Sequence, residues 1–199
     1  MKKTALYQAI DGGRKAVPEI PIYCSTSEAR LGWGYYFWDS VVHAAHWWGK
    51  THYRGNYIIC QSFYDAHSAQ YFDLVGDLSH REKLRECADV LRGRKQDDFS
   101  LAEVLELLKI VLPQFNELYW AIRAEAVNKR YSDGKLDIPL CRGKSSPCKE
   151  TDIPFAHGDR RLVVSCSQRV QLCVTNLKFL LEGEYRSIYP EYRDESYVV

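Results

Sequence analysis

The sequence lacks a long apolar run. No stretch approaches the ~18 consecutive apolar residues that a transmembrane helix requires, so we expect no membrane span. Near the amino terminus, only Ala5, Leu6 and Tyr7 form an apolar group before polar residues return. This group is shorter than the apolar core of a secretory signal peptide, and it predicts a cytoplasmic protein.

An excess of charge of one sign is also missing. The 199 residues include 27 Lys plus Arg and 26 Asp plus Glu, so the formal net charge is +1. This balance argues against a nucleic-acid binder driven by bulk charge and against an acidic disordered chain. Apolar residues make up 46% of the chain, which at this length predicts one domain over residues 1–199.

Glycine-rich nucleotide loops and paired metal-binding cysteines are absent too. The sequence contains neither G-x-G-x-x-G nor a Walker loop, so the usual nucleotide-binding folds have no support. The spacing of Cys141 and Cys148 matches no common zinc site, and we predict no metal there. In a reducing compartment the seven cysteines are expected to be thiols. Four stand among apolar neighbours and are predicted core residues: Cys60, Cys87, Cys166 and Cys173.

Short β-like runs are present, and they are separated from a helical block. The first 19 residues are polar and predict an arm or a short edge element. A helix is predicted to start at Asp39 or Ser40 and to end at Gly49. Because strands and helices are segregated, the pattern favours an α+β fold. The predicted strands are Glu19–Cys24, Tyr57–Cys60, Tyr71–Leu74, Leu162–Cys166 and Val170–Val174.

The helical block covers residues 79–130. Ser79-x-x-Glu82 and Ser100-x-x-Glu103 are capping-box patterns, and each predicts a helix start. Pro113 ends or kinks the second helix, after which a helical stripe from Phe115 continues to about residue 130. Residues 131–160 are rich in Gly and Pro, which predicts either a binding or lid loop or a surface insertion.

The most unusual segment is Gly32-Trp33-Gly34-Tyr35-Tyr36-Phe37-Trp38-Asp39. Strand alternation places Tyr36 and Trp38 on one face, and Tyr35 and Phe37 on the other. Gly34 would allow a close backbone approach or a positive φ. This combination suits the stacking of a planar ring ligand, but a strand buried on both faces explains it equally well.

The residues 34–39 followed by a helix resemble the G-x-Y-F-x-D segment of ADP-ribosyltransferases of the diphtheria-toxin and poly(ADP-ribose) polymerase type. The first-strand motif of that family, Tyr-His-Gly-Thr, resembles Ile22-Tyr23-Cys24-Ser25-Thr26. Its late strand with a catalytic Glu resembles residues 169–174, and Gln171 stands in the Glu position. The resemblance covers roughly residues 20–75 and 160–182. It implies split antiparallel sheets with a helical insertion.

The resemblance also implies roles for single residues. Tyr36 would stack on the nicotinamide ring of NAD, and Gln171 would contact the nicotinamide ribose. The implied partners are NAD as a substrate and a macromolecular acceptor, either protein or nucleic acid. The residues implied to contact NAD are Cys24, Ser25, Thr26, Gly34, Tyr35 and Tyr36.

Two departures from the family pattern leave the activity open. Gln171 supplies a dipole where the family has a full negative charge for a developing cation. Cys24 replaces a His ring donor with a weak S–H group. The sequence therefore predicts either an NAD-dependent transferase or hydrolase, or an inactive protein of the same fold that serves as an interaction module.

Other constellations compete with this interpretation. His43 and His46 share a helix face, and with His52 they form a candidate metal cluster, although surface or packed histidines are favoured. Cys24 could act as a nucleophile with His67 or His157. Arg160 and Arg161 could hold a phosphate, or lie in a solvated turn.

Overall fold

The computed structural model describes residues 1–14, 16–27, 29–94, 99–125 and 169–190. Four helices lie in this part of the chain: α1 Val42–His52, α2 Leu78–Arg94, α3 Leu101–Val111 and α4 Phe115–Leu118. A short 3-10 helix covers Leu177–Phe179. The strands are β1 Lys3–Asp11, β2 Tyr23–Cys24, β3 Gly34–Asp39, β4 Tyr57–Asp65, β5 Tyr71–Asp73, β6 Ala121–Glu125, β7 Val170–Val174 and β8 Arg186–Tyr189.

The eight described strands form one sheet in the order β5-β6-β7-β3-β1-β4-β8, and β2 pairs with β3. Only the β5–β6 pair among them is parallel. The chain is therefore α+β, as the sequence predicts. The two split sheets that the resemblance implies are not what these strands form, because β3 pairs along both of its edges and joins them into one sheet.

The four α-helices of the described part pack on one face of this sheet, which we call the helical face. Tyr36 and Trp38 of β3 lie on it, whereas Tyr35 and Phe37 lie on the opposite face, as strand alternation predicts. The α1 helix packs over Trp38 and Ile59, and α2, α3 and α4 cover a separate cluster. Fully buried side chains of that second cluster include Phe72, Val104, Leu105, Phe115 and Ile122.

One edge of β3 is shared between two strands. Its first residues pair with β2, with Tyr23 opposite Tyr35, and its last residues pair with β1, with Leu6 opposite Asp39. At the junction between β2 and β1, the backbone N–H and C=O groups lack the regular hydrogen bonds of a strand ladder. Buried backbone groups need partners, so something else must satisfy them.

The Gln8 side chain of β1 fills this junction. Its Nε2 donates to the carbonyl oxygens of Ile22 at 2.9 Å and Tyr36 at 3.2 Å. Its Oε1 accepts from the Ile22 N–H at 2.8 Å and from the Tyr185 hydroxyl at 2.8 Å. Gln8 is only 6% exposed, so these bonds are shielded from water. The amide thus takes the place of a strand in holding β2 against β3.

Two segments before residue 130 form a different element from the one predicted. Residues 3–11 are not an arm or a short edge element but β1, a central strand paired with β4 over its whole length. The helical stripe from Phe115 stops at Leu118, and β6 follows at Ala121. The backbone of Tyr119 turns to an extended conformation, φ −124° and ψ 116°, and ends the helix. Residues 126–130 lie outside the described part.

The predicted boundaries of α1 also need correction. Neither Asp39 nor Ser40 caps it: the helix begins at Val42, and the Ser40 hydroxyl donates to the Asp39 carboxylate at 2.8 Å. Ser40 adopts a positive φ of 62° instead. Gly49 does not end the helix, which continues to His52. A Cβ at Gly49 would lie 2.3 Å from the Tyr57 ring. The glycine therefore allows Tyr57 of β4 to pack directly against the helix.

Of the two capping boxes, one is present. The Ser100 hydroxyl accepts from the Glu103 N–H at 3.3 Å, and the Ser100 N–H donates to the Glu103 carboxylate at 2.7 Å. Ser79 is not a cap, because α2 has already begun at Leu78. The Asp77 carboxylate accepts from the Ser79 and His80 N–H groups there, at 2.8 and 3.2 Å.

Three of the four cysteines predicted for the core are buried: Cys60, Cys87 and Cys173. Several sequence predictions fall outside the described residues. These are the Leu162–Cys166 strand, the 131–160 loop, Cys141, Cys148, His157, Arg160 and Arg161.

Replacing Gln8 with Leu should lower the free energy of unfolding by about 3 kcal/mol, measured by urea denaturation. A buried backbone group that loses its partner costs about 1–3 kcal/mol, and Gln8 serves Ile22 twice and Tyr36 once. Gln61→Leu on β4 is the matched control, because its two contacts are both 3.5 Å long. An equal loss in both variants would contradict the special position of Gln8.

Candidate functional site

Three predicted site residues, one each from β2, β3 and β7, form a row on the helical face. Cys24 lies opposite Gly34, two residues before Tyr36 on the same face of β3. Gln171 lies opposite Trp38, two residues after Tyr36. Tyr36 therefore stands in the middle of the row, with Cys24 on one side and Gln171 on the other.

The structure brings Tyr36 together with each neighbour but keeps the two ends apart. Tyr36 and Gln171 are diagonal neighbours on adjacent strands, which places their Cα atoms about 7–8 Å apart. Cys24 and Gln171 are four residues apart along β3 and on opposite sides of it. Ideal strand spacing then gives about 16 Å between their Cα atoms. A single ring stacked on Tyr36 cannot reach both ends of the row.

The Tyr36 hydroxyl is occupied within the protein. It accepts from the Leu31 N–H and donates to the Gly32 carbonyl, both at 2.8 Å. Burial, followed by interaction with Cys173, raises the pKa of Tyr36 well above its ordinary value. The hydroxyl is thus neither a base nor a free donor at neutral pH, and any function of Tyr36 falls to its half-buried ring.

Gly34 has a packing reason to be glycine. A Cβ there would lie 2.6 Å from Cys173 Sγ and 2.7 Å from the Val174 carbonyl oxygen. Of the two explanations that the sequence allows, close approach is the correct one, since Gly34 has no positive φ. The approaching group is β7 itself. Burial raises the pKa of the Cys173 thiol to about 12, so it stays protonated.

The other residues implied to contact NAD are divided between the two faces. Ser25 and Thr26 lie beside Cys24 in an exposed turn, with the Thr26 hydroxyl 3.6 Å from Cys24 Sγ. Tyr35 lies on the opposite face, where its ring meets the Tyr23 ring edge-on at 5.1 Å. Tyr35 is therefore separated by the sheet from Tyr36 and from the rest of the row.

No carboxylate lies beside Gln171 on its face of the described strands, and Arg169, two residues before it, is a cation. Its same-face partners across the ladder are Trp38 and Ala124, and the next same-face residue along β7 is Cys173. Around this half-buried amide, none of these neighbours in the described strands is a carboxylate. Gln171 can donate and accept hydrogen bonds there, but it cannot supply full negative charge.

The histidines proposed as metal ligands or as a partner of Cys24 lie in the described part of the fold, apart from His157. His46 Nδ1 lies 3.0 Å from the Tyr57 hydroxyl, and its ring also packs on Tyr189. Among the described residues, no group of three or more His, Cys, Asp or Glu is arranged to hold a metal ion. His67 follows β4 at the end of the sheet near Lys3, about 25 Å along the strands from Cys24, so these two do not form a pair.

The sequence analysis does not predict a partly buried charge network that lies on the opposite face. Arg123 Nε donates to Asp39 at 2.7 Å, and its NH1 donates to Asp73 at 3.2 Å. The Tyr64 hydroxyl adds a bond to Asp39 at 3.1 Å. Burial, and then the charge of Asp39, raises the pKa of Tyr64. One signal was available: Arg123 is the only charged residue in the apolar run from Leu118 to Ala124.

Comparisons with known proteins return nothing for this chain. No family model, no curated protein and no solved structure matches it. Within the described residues, no helix is both long enough and apolar enough to cross a membrane.

Replacing Arg123 with Met should lower the free energy of unfolding by about 3–5 kcal/mol in thermal or urea denaturation. The change leaves the Asp39 side chain, which is 2% exposed, as a buried charge without its cation. Adding Asp39→Asn should recover much of the loss, because the uncompensated charge is then gone. Arg92→Met is the control: its pair with Asp89 is exposed and should contribute less than about 1 kcal/mol. A missing rescue would contradict the electrostatic origin of the effect.

Proposed function

We propose that this chain is a divergent NAD-binding protein of the ADP-ribosyltransferase type. It would act in the cytoplasm and either transfer ADP-ribose to a macromolecular acceptor or hydrolyse NAD. The observation that supports the proposal is the juxtaposition of Tyr36 and Gln171. They share the helical face on adjacent strands in the middle of the sheet.

The ring of Tyr36 is suited to hold a nicotinamide. Two hydrogen bonds to the 31–32 backbone fix its hydroxyl end, so the ring is held in one orientation before any ligand arrives. A ring that is already ordered loses little conformational entropy on binding. Aromatic pairs favour offset-stacked or edge-to-face packing, which a planar nicotinamide can adopt on this ring.

Gln171 would contact the ribose that carries the nicotinamide. Its amide can accept a hydrogen bond from a ribose hydroxyl and so orient the sugar. The bond between the sugar and nicotinamide breaks with positive charge developing on the sugar, and an amide dipole stabilises that charge less than a carboxylate does. The expected chemistry is therefore slow, and it relies on positioning of the substrate more than on charge.

Titration calorimetry with NAD, together with a nicotinamide-release assay, tests this proposal. Tyr36→Ala should weaken NAD binding about tenfold, because the stacking surface is lost. Tyr36→Phe keeps the ring and removes only the hydroxyl, so it should bind NAD nearly as well as the wild type. Tyr71→Phe is the matched control: it removes a tyrosine hydroxyl from the opposite face. If the wild type neither binds NAD nor releases nicotinamide, the proposal is wrong.

A second candidate function is an inactive interaction module with the same fold. The lack of a carboxylate favours it, since none of the same-face neighbours of Gln171 in the described strands offers one. In this case the helices α2 and α3 would present the binding surface, and NAD would not be consumed.

Gln171→Glu separates the two candidates. A carboxylate restored at a working site should raise nicotinamide release by at least tenfold, because it stabilises the developing positive charge. Gln61→Glu, a Gln-to-Glu change on β4 that adds the same charge elsewhere on the sheet, should leave the rate unchanged. No turnover by Gln171→Glu, combined with no NAD binding by the wild type, would favour the interaction module.

A further inference from the structure

The outer side of α1 carries an unusual combination of side chains. His43, Trp47 and Lys50 recur at helical spacing and form one stripe, about 10 Å long, along one flank of the helix. The Arg169 guanidinium, from the residue before β7, lies 3.7 Å from the centre of the Trp47 ring. We call these four residues the α1 stripe.

The charged side chains of α1 and of the residues that follow it as far as Tyr64 are all cationic. From Ser40 to Tyr64 the chain contains no Asp or Glu, although the whole protein is nearly neutral. Lys50, Arg54 and Arg169 are exposed, and none of them takes part in an ion pair with another described residue. Asp11, the carboxylate that approaches from β1, acts on Tyr53 beyond the end of the helix. The stripe is therefore a local cationic surface.

Flat side chains are interleaved with these cations. Trp47 is half-buried and rests edge-on against Trp38, which holds its ring in place. One turn along, the Trp48 and His52 rings stack 3.4 Å apart at an interplanar angle of 14°. A guanidinium over an indole is itself a platform on which a nucleobase can stack.

We propose that the α1 stripe binds single-stranded nucleic acid. Phosphates would lie at Lys50 and Arg169 of the stripe and at Arg54, which follows α1, and an unpaired base would extend the stack of Arg169 on Trp47. Cationic side chains that follow a backbone, combined with aromatic platforms for bases, are the two parts of single-strand recognition. A duplex keeps its bases stacked on each other and would leave Trp47 unused. An acidic peptide would satisfy the cations but not the aromatic groups.

This inference does not depend on NAD chemistry. It uses none of Cys24, Tyr36 or Gln171, and it would hold for an inactive interaction module as well as for an enzyme. The two proposals can therefore fail separately: oligonucleotide binding is measured without NAD, and NAD binding is measured without oligonucleotide.

Fluorescence anisotropy of a labelled oligothymidylate with the full chain is the direct test. Affinity should fall between about 50 and about 200 mM salt, with a slope near −2, since each phosphate contact on a single strand contributes roughly −0.7. Lys50→Gln and Arg169→Gln should each reduce that slope by roughly 0.7. Trp47→Ala should weaken binding about tenfold through the lost base stacking, and Trp47→Phe should retain part of it.

Matched controls distinguish the stripe from the rest of the surface. Trp33→Ala removes another tryptophan, which is 63% exposed and is not part of the α1 stripe, and Lys83→Gln removes an exposed charge from α2. Both should bind as the wild type does. Because Trp47 also packs on Trp38, a Trp47→Ala chain that fails to fold shifts the decision to Lys50→Gln and Arg169→Gln, whose side chains are exposed.

Three results would overturn the proposal. The first is an absence of oligonucleotide binding at low salt. The second is an equal loss of affinity in the control variants. The third is equal or tighter binding of a blunt duplex or of polyglutamate, which would show that the surface responds to charge alone or to an acidic protein.

Discussion

The hydrogen bonds of one amide hold the centre of this fold together. Gln8 occupies the junction where β3 changes its partner from β2 to β1, and it serves backbone groups on both sides. A two-residue strand such as β2 has too few ladder bonds to fix its own position. The placement of Cys24 beside Gly34 therefore depends on an amide in another strand. The hydroxyl of Tyr185, the residue directly before β8, also donates to Gln8, so segments that are distant in the sequence hold one another in place.

The close contact of β3 with β7 constrains the chemistry of the candidate site. Because Gly34 has no side chain, Cys173 can lie against β3, where burial keeps its thiol protonated. The Tyr36 hydroxyl is bound to the 31–32 backbone and is also held neutral. What remains for a ligand is a fixed aromatic ring and the amide of Gln171. Such a site can bind and orient a substrate, but it has no acid or base of its own among these residues.

Sequence reasoning succeeded where one physical rule decides the structure. Alternation placed Tyr36 and Trp38 on one face, and the reciprocal Ser100–Glu103 pattern marked the start of α3. It failed where burial on both faces removes alternation. In β6, Ala121 and Ile122 are both buried, so the segment is indistinguishable from a helical stripe by period alone. The junction at Gln8 could not be foreseen, because it depends on which strands become neighbours.

The two faces of the sheet differ in how their charged side chains are paired. On the opposite face, Arg123 lies between Asp39 and Asp73. These ion pairs connect strands of the sheet. On the helical face, the cations of the α1 stripe have no such described partners. Arg169 connects this stripe to the candidate site, since it stands two residues before Gln171 and contacts α1. A nucleic acid bound along α1 would pass beside Gln171, which is where a transferase of the proposed type would need its acceptor.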